Sequence, residues 1–78
     1  MKARNNSGDT AHDIIAKLRR MPGLLTAREV AKVTHKHPET IYTMLRRKQI
    51  PAFRDGSRWK VDPNELADWL ERRSTEVN

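Results

Sequence analysis

Three polar side chains in the middle of the chain have the spacing of one helix face. Glu39, Thr43 and Arg46 are separated by four and three residues, so a helix displays them together. Tyr42 and Arg47 flank this face. An arginine can bind guanine O6 and N7, a glutamate can accept from cytosine N4, and a threonine methyl can contact thymine. The pattern therefore indicates recognition of base edges, and the alternative is the solvated face of an ordinary helix.

A second set of side chains suits phosphate oxygens, which accept hydrogen bonds from cations and hydroxyl groups. Its members are Arg28, Lys36, Arg47, Arg54, Ser57, Arg58 and Lys60. The cations at 54, 58 and 60 have a second interpretation, because charged side chains also protect an exposed strand from pairing with another chain. Arg28 is equally compatible with a simple solvated position. The base-reading candidates are Glu39, Tyr42, Thr43 and Arg46.

The charge distribution favours a polyanionic partner. The 78 residues have a net charge of +6 and no cysteine. Residues 35–60 contain seven Lys and Arg against two Asp and Glu, whereas residues 61–78 contain two against five. The middle of the chain is therefore expected to face the phosphates. No apolar run approaches the roughly 20 residues of a membrane span, so we expect a soluble, cytoplasmic protein.

Catalysis and metal binding have little support in the sequence. We find no arrangement of nucleophile and base, and no glycine-rich loop that could hold a phosphate. His35 and His37 form a weak metal signal, because no cysteine or obvious third ligand accompanies them. A turn and a helix cap explain these two histidines better. We expect no enzyme activity, no cofactor and no metal.

Helix signals divide the chain into short elements. Thr10 can cap a helix that ends near Met21, before Pro22 and Gly23. Thr26 and Glu29 form a capping box for a helix to about Val33. After a short turn, His37 and Pro38 begin a helix to about Lys48. A last helix begins at Asp62, with Pro63 first and Glu65 completing a second capping box.

Between the last two helices the pattern changes to that of a β-hairpin. Asp55 and Gly56 are typical of a tight turn. Phe53, Trp59 and Val61 are predicted to point inward, while Arg54, Arg58 and Lys60 point outward. Trp59 and Trp69 are interpreted as core residues rather than as platforms for base stacking, since so small a fold needs large side chains inside.

The order of helix, helix-turn-helix, hairpin and helix is that of a winged helix. The chain resembles the excisionase-type DNA-binding domains, minimal relatives of the MerR winged helix. The resemblance covers about residues 24–71 and is carried by Leu24-Leu25-Thr26, Glu29-Val30-Ala31, Thr40-Ile41-Tyr42, Ile50-Pro51-Ala52, Gly56-Ser57-Arg58-Trp59-Lys60-Val61, Glu65-Leu66 and Trp69-Leu70. It predicts a mainly α fold with a small two-stranded wing. We divide the chain into a disordered basic tail (1–9), an N-terminal helix extension (10–22), the winged helix (23–73) and a flexible tail (74–78).

The resemblance implies sequence-specific binding of double-stranded DNA by a nucleoid-associated factor. The helix from Pro38 would enter the major groove, and the wing would contact the adjacent backbone or minor groove. The implied role is architectural control of recombination, with a recombinase or integrase as partner. A small phage or plasmid transcription regulator is the alternative, and a winged helix that binds protein through the 10–21 helix is another. That helix either packs on the core through Ile14, Ile15 and Leu18 or mediates self-association on DNA.

Overall fold

The computed structural model describes the backbone of residues 11–77 and the side chains of residues 11–73. The predicted tail at 1–9 and the cap at Thr10 lie outside this range. The described elements, in order, are α1 (Ala11–Arg19), α2 (Ala27–Thr34), α3 (Pro38–Arg46), β1 (Phe53–Asp55), β2 (Arg58–Lys60) and α4 (Pro63–Val77). The protein is mainly helical with one antiparallel hairpin, so the predicted winged helix-turn-helix is confirmed.

Local hydrogen bonds at the chain's turns explain where α2 begins and ends. Thr26 Oγ1 accepts from Glu29 N–H at 3.2 Å, and the Glu29 carboxylate accepts from Thr26 N–H at 2.8 Å. This is the predicted capping box. At the other end, His35 has a left-handed backbone with φ of 59°, and the Lys36 N–H donates to Ala31 O. The left-handed residue turns the chain sharply toward α3.

Replacing His35 with glycine is expected to raise the free energy of unfolding by about 0.5–1 kcal/mol. The left-handed conformation at His35 costs a side chain with a Cβ energy that glycine does not incur. Thermal unfolding would measure the gain. The control is Lys32→Gly in the regular part of α2. This variant is expected to lower the free energy of unfolding by about 0.5–1 kcal/mol. A loss of stability from both variants would contradict the strain at His35.

One core joins all the helices to the base of the wing. Six large side chains are less than 2% exposed, namely Leu18, Val30, Ile41, Leu45, Val61 and Leu66. Trp59 and Trp69 are partly buried and pack against this core. Ile14 and Ile15 also contact it, so the prediction that α1 packs through these residues and Leu18 is confirmed.

An ion pair network at the surface also connects α1 to α4. Arg19 Nη2 lies 2.8 Å from Asp68 Oδ1 and 3.0 Å from Glu71 Oε1. The hydrogen bond to Asp68 raises the pKa of Arg19 above its usual value. Because the three side chains are exposed, this network contributes little stability. Its effect is to neutralise a cation and two carboxylates on the side of the molecule formed by α1 and α4.

The wing is attached to the segment before α2 by backbone hydrogen bonds. Leu25 N–H donates to Val61 O at 2.8 Å, and Val61 N–H donates to Leu25 O at 2.9 Å. Both side chains are buried. The chain just after β2 therefore pairs with the residue that precedes the capping box of α2, which holds the wing beside the helix-turn-helix.

Two details of α4 differ from the sequence predictions. Asp62 Oδ1 accepts from Asn64 N–H at 2.8 Å, so the cap reaches the residue two positions on rather than Glu65 at the third. In addition, α4 continues to Val77, past the predicted domain boundary at residue 73. The sequence from 64 to 77 has no glycine or proline to end the helix. Within residues 11–77, no helix has the length and hydropathy needed to cross a bilayer.

Candidate nucleic-acid interface

The exposed face of α3 brings the four base-reading candidates together. Glu39, Tyr42, Thr43 and Arg46 line one shallow depression of about 320 Å³. Arg46 Nη2 donates a long hydrogen bond to Thr43 Oγ1 at 3.4 Å, so these two side chains are in contact on this face. We refer to the depression as the α3 face. Its side chains can donate and accept hydrogen bonds, which is the capacity that base edges require.

The start and the buried side of α3 position this face. His37 is the N-cap, and its Nδ1 accepts from Glu39 N–H at 3.2 Å, with Pro38 at the first helical position. Ile41 and Leu45 are buried on the opposite side of the helix. The turn and cap interpretation of His35 and His37 is thus confirmed. Within the described residues, no group of three or more histidines and carboxylates is placed to hold a metal ion.

The wing places further phosphate-contact candidates beside α3. Ser57 and Arg58 lie in the turn and at the start of β2, and with Arg28 and Tyr42 they line a notch of about 270 Å³. Gly56 supplies the positive φ of 67° that this turn needs. Three elements that are separate in sequence, α2, α3 and the wing, therefore meet at one place on the surface.

The predicted orientation of the wing side chains is wrong for Phe53 and Arg54. Cross-strand pairs face the same side of a sheet, and Phe53 pairs with Lys60 while Arg54 pairs with Trp59. The Arg54 guanidinium lies 4.7 Å from the centre of the Trp59 ring, and Phe53 is 50% exposed. Arg54 is thus on the face opposite to that of Arg58 and Lys60.

The orientation of Phe53 and Arg54 was predicted wrongly because the turn is shorter than expected. Asp55 pairs with Arg58, so only Gly56 and Ser57 form the loop, whereas the prediction assigned Asp55 to the turn. With a loop of two residues, odd-numbered positions on β1 face the same side as even-numbered positions on β2. Phe53 and Trp59 therefore lie on opposite faces. Had the sequence been read with a loop of two residues, Gly56 and Ser57, it would have paired Arg54 with Trp59 on one face.

The candidate cations of the helix-turn-helix and the wing have no carboxylate partner among the described residues. In the described part of the chain, no Asp or Glu oxygen lies within 4.0 Å of the following side chains: Arg28, Lys36, Arg46, Arg47, Arg54, Arg58 and Lys60. Arg19 on α1, by contrast, has two such partners. The Glu39 carboxylate also forms no ion pair with any described residue. Positive charge therefore remains uncompensated on the side formed by α2, α3 and the wing.

Sequence reasoning omitted three residues that adjoin this surface. Thr26, Ala27 and Trp59 line the notch together with Arg28 and Tyr42. Trp59 was predicted as a core residue, and it does pack on the core, but it also lines the notch. This residue therefore contributes to both the interior and the candidate interface.

Comparison with known proteins agrees with this architecture. Residues 24–74, about two-thirds of the chain, match the model of a helix-turn-helix domain family. Searches of curated proteins and of solved structures found no significant match. The family match indicates DNA binding, and domains of this kind are typically not enzymes. It begins after α1 and contains the capping box, the turn, α3, the wing and most of α4. The chain belongs to this helix-turn-helix domain family.

Proposed function

We propose that the protein is a sequence-specific factor for double-stranded DNA, of the excisionase type. In this proposal α3 enters the major groove and reads bases with Glu39, Tyr42, Thr43 and Arg46. The wing lies on the adjacent backbone or minor groove. The protein acts in the cytoplasm with the nucleoid, where it shapes DNA for a recombinase or integrase and associates with further copies on the DNA.

The observation that carries DNA binding is the uncompensated charge around α3. Cations that have carboxylate partners gain little from a polyanion, since they would have to exchange one partner for another. The cations of α2, α3 and the wing have no such partner among the described residues. Phosphate oxygens would provide partners, and the released counterions would supply the driving force.

The shape of the surface also supports this mode of binding. An α-helix fits the major groove of B-DNA, and its outward side chains reach the base edges. The α3 helix is nine residues long, and its exposed side forms the α3 face. Arg28, Ser57 and Arg58 line the same notch as Tyr42, beside α3, where a helix in the groove would have the sugar–phosphate backbone.

The role in recombination has a narrower basis than DNA binding. It rests on the resemblance carried by the sequence motifs, and a small phage or plasmid regulator of transcription would need the same surface. The two roles separate in a cell that carries both an excision reporter and a promoter reporter. The proposal expects the protein to change the frequency of excision. A change confined to promoter activity would contradict it.

The test of DNA binding is its dependence on salt. If about 4–7 phosphates are contacted, the logarithm of the binding constant should fall against the logarithm of salt concentration with a slope of about −4 to −6. Fluorescence anisotropy of a labelled duplex, chosen by the protein from a random pool, would measure it. A flat dependence, or no binding at low salt, would contradict the proposal.

A groove between α1 and α2 supports a second candidate function, the binding of another protein. Met21, Pro22, Leu25 and Val33 contribute apolar surface to this groove, whose volume is about 540 Å³. The docking surface predicted from the sequence was the 10–21 helix, whose residues Ile14, Ile15 and Leu18 pack in or against the core. Binding to a protein through this groove would depend weakly on salt, so the same measurement separates the two functions.

A further inference from the structure

The helix-turn-helix and the wing border a notch whose lining includes two arginines, a tyrosine and a serine. Arg28 comes from α2 and Tyr42 from α3, while Ser57 and Arg58 come from the turn and β2. Trp59 provides an aromatic wall. The volume of the notch is about 270 Å³. Two arginines, a tyrosine and a serine from separate parts of the sequence thus border the same notch.

These four residues have no side-chain partner among the described residues. Within the part of the chain that the structure describes, the side chains of Arg28, Tyr42, Ser57 and Arg58 have no hydrogen bond and no ion pair. No Asp or Glu of the described part of the chain lines the notch. Two guanidinium groups that border one notch repel each other unless an anion lies between them. The arrangement therefore favours a ligand that carries negative charge and accepts several hydrogen bonds.

We infer that this notch binds a single phosphodiester group of duplex DNA, which α2, α3 and the wing contact together. The inference deepens the proposed function and rests on it. Arg28 and Arg58 donate charge-assisted hydrogen bonds to the phosphate oxygens. Tyr42 and Ser57 donate from their hydroxyl groups, and the ring of Trp59 packs against the adjoining deoxyribose.

This assignment changes the role of Tyr42. Tyr42 borders both the notch and the α3 face, so it stands between the backbone contact and the base-reading side chains. If its hydroxyl binds a phosphate, Tyr42 contributes affinity to every sequence and sets the position of α3 along the groove. The choice among bases is then made by Glu39, Thr43 and Arg46.

The experiment pairs protein variants with single neutral linkages in the DNA. A duplex selected by the protein from a random pool is made with one methylphosphonate at each backbone position in turn. At one linkage on the contacted strand, the neutral group should lower the affinity of the unmodified protein by about tenfold. At that same linkage, Arg28→Ala, Tyr42→Phe and Arg58→Ala should each reduce this penalty to about twofold or threefold.

Arg72→Ala is the matched control, because it removes an exposed cation on α4 outside the notch. It should leave the penalty at every linkage unchanged. If the three variants reduced the penalty at different linkages, or at none, the three residues would not share one phosphate. The proposal of DNA binding would still stand in that case. Failure of the unmodified protein to bind any duplex would overturn both the notch and the proposed function.

A fluorescence measurement gives an independent readout. In a Trp69→Phe variant, Trp59 is the remaining tryptophan of the chain. Its emission should change when the selected duplex binds, and the change should shrink when the identified linkage is neutral. An emission that is unaffected by the bound duplex would contradict the contact between Trp59 and the sugar.

Discussion

Replacing Leu18 with alanine is expected to lower the free energy of unfolding by about 2–5 kcal/mol, the usual range for a fully buried leucine. Leu18 is 0% exposed and belongs to α1, which lies outside the residues matched by the family model. Domains of this size are stable by about 5–10 kcal/mol, so the loss would be a large share of the total. Urea unfolding followed by circular dichroism would measure it.

The matched control is Leu24→Ala, because Leu24 is 47% exposed and precedes the same helix-turn-helix. We expect this change to cost less than about 1 kcal/mol. If the two variants unfolded at the same urea concentration, α1 would not be part of the core. The comparison thus decides whether residues 11–19 are a structural part of the domain or a separate extension.

Replacing Arg46 with alanine is expected to relax base preference at one position of the selected site and to cost about 1–3 kcal/mol there. The guanidinium is exposed on the α3 face, and its described contact is the long hydrogen bond to Thr43. It is therefore available for a bidentate contact with guanine. Affinities for the selected duplex and its single-base variants, measured at one salt concentration, would show the relaxed position.

Arg47→Ala is the control for the loss of charge. Arg47 is the neighbouring residue, exposed at the C-cap of α3, but it does not line the α3 face. Its removal should weaken binding to all duplexes by similar factors and reduce the salt slope by about 0.9. If Arg46→Ala produced this same uniform loss, Arg46 would be a backbone contact and not a reader of bases.

Local chemistry made much of the fold predictable from the sequence. Thr26 and Glu29 form their capping box within four consecutive residues, so no distant contact is needed to place the start of α2. His37 and Pro38 likewise define the start of α3. The helical spacing of Ile41 and Leu45 was enough to identify the buried side of α3, and thereby the exposed side that holds the candidate site.

The features that were missed depend on register or on competition between nearby groups. Moving one residue from the loop to the strand reversed the face of Arg54, because side chains alternate along a strand. The Asp62 carboxylate accepts a hydrogen bond from the N–H of Asn64, whereas the predicted capping box required the N–H of Glu65. The notch was beyond sequence reasoning for another reason, since Arg28, Tyr42 and Ser57 are brought together only by the tertiary fold.

The pairing of Leu25 with Val61 has a consequence for engineering the hairpin. The two backbone hydrogen bonds hold the base of the wing, while the tip at Gly56 and Ser57 is exposed. Residues inserted at the tip would lengthen the loop at a small entropic cost and leave the anchored base in place. Tips of different length and charge could therefore be exchanged at the hairpin without disturbing its attachment to the segment before α2.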